Sequence, residues 1–217
     1  ETAAALLAQA GFHMTDIVRT WLFLDRLPEW YEDFNAVRTG FFTEVGIYGH
    51  RIPASTGIGA RNPFGAAVTM NVFAVRPKSP ELTIRAVASP FQNPALDYGS
   101  YFSRAVEIGS PSHRSLLISG TASIARDGKT MYPDAPGEQI RFTMNAIKAL
   151  LESRGMRWRD LFRGIAYFRD WDWIPLFRQV AAEFGIAPFP LAVAQAEICR
   201  PDLCFEIEVD AVQVRPA

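Results

Sequence analysis

The segment CRPDLCFEIE, residues 199–208, opens the last predicted strand of the chain, which runs over residues 203–214. Side chains of a strand alternate between its two faces, so Glu206 and Glu208 share one face, and Cys204 is predicted to lie there too. Apolar side chains take the opposite face: Phe205, Ile207 and Val209. The pattern predicts a sheet with one acidic face and one face packed against helices.

The residues before this segment supply the rest of one α+β layer. Apolar spacing of three or four predicts helices over 137–154, which Gly155 ends, and over 171–184. Runs rich in β-formers predict the remaining strands: 101–108, 115–124, 161–168 and 191–198. The order of strands, helix, strand, helix and two strands predicts an α+β fold, with helices on one face of a mixed sheet.

An internal repeat divides the chain. Asp16 and Arg19 recur as Asp160 and Arg163, and further matches keep their order along about 75 residues of each copy. The first copy begins inside its first helix, so we expect it to be incomplete at its N-terminus and the parent protein to extend upstream. The predicted parts are an incomplete copy over 1–76, a linker over 77–100 and a complete copy over 101–217.

Composition excludes several classes of protein. The 22 Lys and Arg nearly balance the 23 Asp and Glu, which argues against a nucleic-acid-binding protein. Apolar runs are shorter than the ~20 residues that a membrane span needs. Two cysteines cannot form a disulfide framework or a four-ligand zinc site, and no Gly-rich phosphate loop or His-rich metal motif occurs. We therefore expect a cytoplasmic protein without a bound metal.

Two interpretations of the acidic face stay open. A solvated outer face is the commoner fate of a polar sheet face. The repeat favours a functional role, because Glu206 and Glu208 correspond to Thr69 and Asn71 in the first copy. A carboxyl group that is partly buried, or close to another carboxylate, has a raised pKa and can act as a general acid. Glu206 is the candidate for that role.

Other candidate residues flank this strand. Cys199 is either a small buried hydrophobe or a pocket-lining thiol; a nucleophile would need a base nearby, and the three histidines are distant in sequence. Gly120 and Thr121 lie where the 115–124 strand ends, which is either an ordinary strand end or a place where a ligand approaches the backbone. Arg104 and Arg169 adjoin apolar strands and either bind a carboxylate or form surface salt bridges.

Three segments carry a family resemblance: YFSRA at 101–105, LLISGTASI at 116–124 and ICRPDLCFEIE at 198–208. Each copy resembles the RidA/YjgF superfamily, whose small α+β domains assemble as trimers with ligand pockets between subunits. The tandem arrangement is similar to the chorismatase branch, and PASTGIGA at 53–60 extends the likeness into the first copy. The resemblance implies two tandem RidA/YjgF-like domains and a homotrimer.

The resemblance also implies a reaction. Chorismatases hydrolyse chorismate to pyruvate and a hydroxybenzoate or dihydroxycyclohexadiene carboxylate, without a metal or organic cofactor. Glu206 would protonate the methylene carbon of the enolpyruvyl ether, while Arg104 and Arg169 would bind the small, anionic substrate. Gly120, Thr121 and Cys199 would line its pocket, and a cysteine at position 199 favours the aromatic product.

The chain also departs from the family. Single-domain members that hydrolyse imines use an arginine just after a Pro-Ala pair, and Ser55 and Ala192 stand at the matching positions here. The linker lacks the stretch rich in arginine and tyrosine that is typical of chorismatases. An alternative is therefore a divergent RidA-fold binder, or a hydrolase of another small anionic metabolite.

Overall fold

The structure is a computed structural model that describes residues 2–95 and 101–215. In these ranges the helices are α1 (Thr2–Gln9), α2 (Leu27–Glu44), α3 (Ile47–His50), α4 (Pro136–Ser153) and α5 (Ile174–Glu183). The strands are β1 (Ile17–Leu24), β2 (Ala54–Gly59), β3 (Val68–Ala74), β4 (Thr83–Val87), β5 (Ala105–Gly109), β6 (His113–Ala122), β7 (Leu161–Phe168), β8 (Leu191–Gln195) and β9 (Phe205–Val214).

The strands form two mixed sheets. The smaller has the order β2-β1-β3, and the larger has the order β4-β5-β6-β9-β7-β8. The pairs β1–β2 and β7–β8 are parallel, whereas the other neighbours are antiparallel. The predicted α+β class with mixed sheets is therefore confirmed. Among the described residues, no helix has both the length and the apolar character that a membrane span requires.

The sequence repeat reappears in the topology. The order β2-β1-β3 of the small sheet matches β8-β7-β9 of the large sheet. A 3-10 turn precedes β1 and β7 alike, and each turn is capped in the same way. The Asp16 carboxylate accepts the backbone N–H of His13 at 2.8 Å, and the Asp160 carboxylate accepts that of Arg157 at 2.7 Å. The division into domains at residues 76 and 101 stays a prediction.

The segment 77–100 is more than the connection that we expected from its prolines. It contains β4, which pairs with β5 over the whole of its length and extends the large sheet by one edge strand. Residues 96–100 of this predicted linker lie outside the described residues. The described part of the segment therefore belongs to the architecture of the large sheet.

Helices α4 and α5 cover one face of the large sheet, as the sequence predicted. Apolar side chains of β9 and both helices form the main core there, with three phenylalanine rings in mutual contact: Phe168, Phe177 and Phe205. Burial of these apolar surfaces is the main source of stability for this layer. The opposite face of β9 carries the acidic side chains and holds the candidate site.

Candidate active site

The acidic face of β9 is buried, which rules out the solvated interpretation. The exposed fractions of Glu206, Glu208 and Asp210 are 5%, 0% and 4%. The small sheet lies over this face, because β1 and β2 contribute the side chains that contact it. A sheet face between two layers must pair its polar groups, and most of the carboxylate oxygens do so.

Glu208 is the centre of this pairing. One carboxylate oxygen accepts hydrogen bonds from Trp21 Nε1 at 2.8 Å and from Arg163 Nη2 at 2.7 Å. The other accepts from the Thr56 hydroxyl at 2.5 Å and lies 2.9 Å from Arg19 Nη2. Because both oxygens are occupied by protein donors, Glu208 is a structural residue that joins the two sheets.

Arg19 and Arg163, which are equivalent in the repeat, converge on this face. Arg19 also donates to Asp210 at 2.9 Å, and Arg163 does so at 2.6 Å. The Trp21 ring lies beside both guanidinium groups, at 4.9 Å and 5.7 Å from their central carbons. In the sequence this arginine pair stands out only as a match between the two copies, without a local signal for its role.

Glu206 differs from its two neighbours. No hydrogen bond or ion pair to its carboxyl group is found in the described ranges, and the group faces a cavity of about 870 Å³. Burial, with a contribution from the nearby Glu208 carboxylate, raises the pKa of Glu206 to about 8. The carboxyl group is therefore largely protonated at neutral pH and can donate a proton into the cavity.

Gly120 makes room for this carboxyl group. A Cβ at position 120 would overlap Oε1 of Glu206 and would lie 3.1 Å from its Cδ. The backbone N–H of Gly120 donates to the Thr56 hydroxyl at 3.1 Å, which fixes β6 against β2 at this point. The sequence led us to expect a ligand close to the backbone at Gly120, whereas the group that the structure places there is the side chain of Glu206.

The cavity lies between α2, β2, β6 and the loop that precedes β9. Four of the predicted site residues line it: Glu206, Gly120, Arg104 and Cys199. Arg104 donates through Nε and Nη2 to the carbonyl oxygen of Asn93, at 3.1 Å and 2.9 Å, and its guanidinium lies 5.4 Å from the centre of the Phe102 ring. Its charge is therefore held in the cavity wall.

Cys199 lines the cavity, in surroundings that oppose ionisation of its thiol. Burial and the nearby Glu206 carboxyl raise the pKa of the Cys199 thiol to about 12. A thiol nucleophile must ionise near neutral pH, and this environment opposes ionisation. The location agrees with a pocket-lining role and argues against nucleophilic catalysis.

Contrary to the sequence-based expectation, two candidate residues do not line this cavity. Arg169 donates to the carbonyl oxygens of Arg200 and Pro201, so it supports the loop before β9 from outside. Thr121 is buried and donates to the carbonyl oxygen of Ser119 at 2.8 Å. Both side chains are engaged by backbone groups, which strand alternation alone could not reveal.

Cys204 also departs from the expectation. Its thiol lies 3.1 Å from Oε1 of Gln139 on α4, and it packs in the core on the helix side of the sheet. It precedes the first residue of β9, so the alternation of the strand does not extend to it. In the ranges 2–95 and 101–215, no three His, Cys, Asp or Glu side chains are grouped as a metal site would require.

Helix α2 contributes to the site in a way that was not expected from the sequence. The first copy provides Tyr31 and Arg38 from this helix and Ser55 from β2 to the cavity wall. The segment 30–38, WYEDFNAVR, mixes aromatic, charged and apolar residues as an ordinary surface helix does, so no local signal marked these residues. The candidate site is thus shared by the two copies.

Comparisons with known proteins agree with this fold. The chain is 26% identical to a chorismatase from Streptomyces hygroscopicus over 219 residues, covering 88% of this chain and 60% of the relative. A crystal structure of a chorismatase superposes with a TM-score of 0.75 at 24% identity, covering 97% of this chain and 67% of that one. No protein-family profile matches the chain.

A smaller protein shows the extent of the shared domain. A candidate endoribonuclease of the L-PSP type from Entamoeba histolytica superposes with a TM-score of 0.51 at 21% identity, covering 60% of this chain and 100% of that one. The chain therefore has the RidA/YjgF fold, with a distant similarity to chorismatase along nearly its whole length. It spans 60% of the length of the curated relative that it matches.

Proposed function

We propose that this protein hydrolyses the enolpyruvyl ether of chorismate, releasing pyruvate and a hydroxylated ring carboxylate. The observation that carries the proposal is Glu206, a buried carboxyl group with a pKa of about 8 that faces a cavity. An enol ether is cleaved by protonation at carbon, which needs a positioned acid that is still protonated near neutral pH. The similarity to chorismatase names the substrate.

The proposed reaction starts with proton transfer from Glu206. The carboxyl proton moves to the terminal methylene carbon of the enolpyruvyl group, which becomes a methyl group, and an oxocarbenium ion forms at the ether carbon. Water, or the neighbouring ring hydroxyl, then attacks that carbon, and Glu206 regains a proton from the attacking group. When water attacks, collapse of the resulting hemiketal releases pyruvate and the dihydroxycyclohexadiene carboxylate, so this route consumes one water. When the ring hydroxyl attacks, its oxygen leaves the ring as the carbonyl oxygen of pyruvate, the former ether oxygen stays on the ring, and loss of a ring C–H proton gives the hydroxybenzoate, so this route consumes no net water.

The surroundings of Glu206 suit this cycle. Its carboxyl group has no protein partner in the described part of the chain, so its proton is available to a substrate. The adjacent Glu208 is fully paired with donors and stays fixed while Glu206 changes charge. A cavity of about 870 Å³ falls in the range of roughly 300–1,000 Å³ that is usual for small-molecule sites.

Cys199 bears on the ring product. It lines the cavity together with Glu206, and its thiol stays protonated because the pKa is raised to about 12. The resemblance noted from the sequence associates a cysteine at this position with the aromatic product. We therefore propose a hydroxybenzoate as the product, with the dihydroxycyclohexadiene carboxylate as the competing outcome.

One observation favours a second candidate function. Arg169, which was expected to bind the substrate, holds the backbone of the loop before β9 instead. A protein that kept the acid but recognised its anion differently would act on another small anionic metabolite, or would bind one without turnover. This second function predicts a folded protein that releases no pyruvate from chorismate.

The test is incubation of the purified chain with chorismate. Pyruvate is measured with a coupled dehydrogenase, and the ring product is identified by chromatography against both standards. We expect pyruvate together with a hydroxybenzoate. The absence of pyruvate, from protein that circular dichroism shows to be folded, would favour the second function.

Three further expectations stay predictions. They are the homotrimer, the cytoplasmic location and the division into domains at residues 76 and 101. Light scattering coupled to size-exclusion chromatography tests the first, and limited proteolysis between the two sheets tests the third.

A further inference from the structure

A second cavity lies far from the acid. It measures about 770 Å³ and is found at the end of the β6–β9 pair where β6 begins and β9 ends. Arg114 in its wall and Gly120 beside the acid are six residues apart on β6, which corresponds to roughly 20 Å along a strand. The cavity is therefore separate from the candidate active site. Four arginines contribute to its wall: Arg85, Arg114, Arg159 and Arg215.

The buried carboxylate of Glu107 fixes part of this wall. Its exposed fraction is 0%. Arg85 donates to it through Nε at 3.0 Å, and Arg154 donates to it through Nε at 2.7 Å. Nη1 of Arg114 lies 3.6 Å from the same carboxylate, and its Nη2 donates to the carbonyl oxygen of Arg154 at 2.9 Å. One carboxylate thus holds three guanidinium groups in place and balances only one of their charges.

The other two arginines of the wall have free side chains. Arg159 belongs to the 3-10 turn before β7, and Arg215 follows β9, where its backbone N–H donates to the carbonyl oxygen of Ser112 at 2.9 Å. Their guanidinium groups form no hydrogen bond or ion pair within the part of the chain that the structure describes. The carboxylate of Asp160, also in the wall, accepts the backbone N–H of Arg157 at 2.7 Å instead. Both free guanidinium groups can therefore bind an anion from solution.

The charges around this cavity do not balance. Together with Arg154 and Glu107, the wall contains five arginines and two carboxylates, an excess of three positive charges in a chain whose net charge is −1. Positive groups that lie close together repel one another, so an anion in the cavity would stabilise this part of the molecule.

The size of the excess favours one kind of anion. A phosphate monoester has a charge of about −1.5 to −2 at pH 7, whereas a carboxylate has a single charge, and the guanidinium fork fits phosphate oxygens. None of the described residues in the wall is aromatic, so the cavity offers no ring on which a nucleobase could stack. Val212 and Val214 provide apolar surface for the carbon chain of a small ester.

We propose that this cavity binds the phosphate group of a small phosphate monoester, with Arg159 and Arg215 as the residues that donate to it. Arg85 and Arg114, which Glu107 holds in place, supply fixed positive charge in the wall. The volume lies within the range of roughly 300–1,000 Å³ that is usual for small-molecule sites. This site shares no lining residue with the cavity that Glu206 faces, so it does not depend on the proposed function.

Titration calorimetry in a buffer free of phosphate tests this site. The probe is glycerol 3-phosphate, compared with sodium acetate at the same ionic strength. Binding is measured for the wild-type chain and for the double variant Arg159→Gln with Arg215→Gln. The matched control combines Arg61→Gln with Arg178→Gln, which removes the same charge from exposed positions. We expect the double variant to bind the ester roughly 10- to 100-fold more weakly than the wild type, and the control to bind it like the wild type.

A thermal melt shows whether the loss of binding comes from recognition or from misfolding. Because both replaced side chains are exposed and without partners in the described chain, the double variant should have the Tm of the wild type in the absence of ligand. Glycerol 3-phosphate should raise the Tm of the wild type and of the control, but not that of the double variant.

Four outcomes would refute the site. They are no binding of glycerol 3-phosphate by the wild type, wild-type affinity in the folded double variant, an equal loss of affinity in the control, and binding of acetate as strong as that of the ester. The third would show that only the overall charge of the chain matters, and the fourth that any anion suffices. Because pyruvate release is not measured here, failure of the proposed function would leave this site unaffected.

Discussion

Gly120 and Glu206 lie so close together that any side chain at position 120 would have to displace the Glu206 carboxyl group. Even a methyl group there would overlap Oε1 of Glu206. A Cβ at position 120 could not move away from Glu206 toward the small sheet, because it would already lie 3.1 Å from the methyl carbon of Thr56. The Glu206 carboxyl group can therefore occupy this part of the cavity only because Gly120, on the neighbouring strand, has no side chain.

The first prediction follows from this contact. Gly120→Ala should displace the Glu206 carboxyl group and reduce kcat/KM for chorismate roughly 10- to 100-fold, since misplacing a reacting group by about 1 Å can cost a rate factor of about 100. The matched control is Gly57→Ala, because Gly57 also lines the cavity but a Cβ there meets no atom within 4 Å. Steady-state kinetics of both variants provides the measurement. Equal activities would contradict the proposed position of the acid.

The second prediction concerns the pH dependence of turnover. Glu206 must be protonated to act, and its pKa is about 8. The rate should therefore be highest on the acidic side and should fall as the pH rises through about 8. Measurement of kcat/KM from pH 5 to pH 10 tests whether the rate falls in this way. A rate that rises through pH 8 would indicate that Glu206 acts as a base.

The third prediction is the effect of the same group on stability. The pKa of Glu206 is raised in the folded protein, so the unfolded chain releases this proton at lower pH than the folded chain does. The wild type should therefore lose stability relative to Glu206→Gln as the pH rises from about 4.5 to about 8, and the difference should be constant above that range. Urea unfolding of both proteins at several pH values measures the difference. A difference that does not change with pH would show that the folded-state pKa is not raised.

Much of the large sheet could be predicted from the sequence, for a physical reason. Strand β7 and helix α4 have local signals, namely a run of β-forming residues and the three-to-four spacing of apolar residues, and Gly155 ends the helical pattern. The shared face of Glu206 and Glu208 likewise follows from the two-residue period of a strand. These features are determined by residues that are close in sequence, so they can be predicted from the sequence alone.

The environment of the acid could not be predicted in the same way. Arg19 and Asp210 are 191 residues apart, and only the packing of one sheet over the other brings them together. Arg169 and Thr121 were expected in the cavity because of their position at strand ends, but Arg169 donates to a backbone carbonyl 31 residues away and Thr121 donates to the nearby carbonyl of Ser119. The same long-range packing brought Arg38 to the site, and no local pattern distinguishes it from a surface arginine.

The fourth prediction tests the buried network between the sheets. Arg19→Met should lower the free energy of unfolding by about 3–5 kcal/mol, because it removes one of the two cations that pair with the buried carboxylates of Glu208 and Asp210. Arg61→Met is the control, since Arg61 is exposed and its replacement should change stability by less than about 0.5 kcal/mol. Chemical denaturation measures both. A small loss for Arg19→Met would mean that the two sheets are held together by other contacts.

The fifth prediction concerns Cys199. Its thiol has a pKa raised to about 12, so it should not react with iodoacetamide at pH 8 in the folded protein. Cys199→Ser should retain pyruvate release, although the ratio of ring products can change. Mass spectrometry after labelling, with unfolded protein as the positive control, checks reactivity. Loss of pyruvate release in Cys199→Ser would assign the thiol a direct role in the reaction.

The central claim is that Glu206 supplies the proton for cleavage of the enolpyruvyl ether. The most direct test is pyruvate release from chorismate by the wild type, Glu206→Gln and the control Glu32→Gln, which changes an exposed carboxylate at the cavity rim. Calorimetry with 3-hydroxybenzoate confirms that each variant keeps its binding site. We expect Glu206→Gln to bind 3-hydroxybenzoate but to release no pyruvate, and Glu32→Gln to keep a substantial rate of pyruvate release. Pyruvate release by Glu206→Gln at the wild-type rate would contradict it.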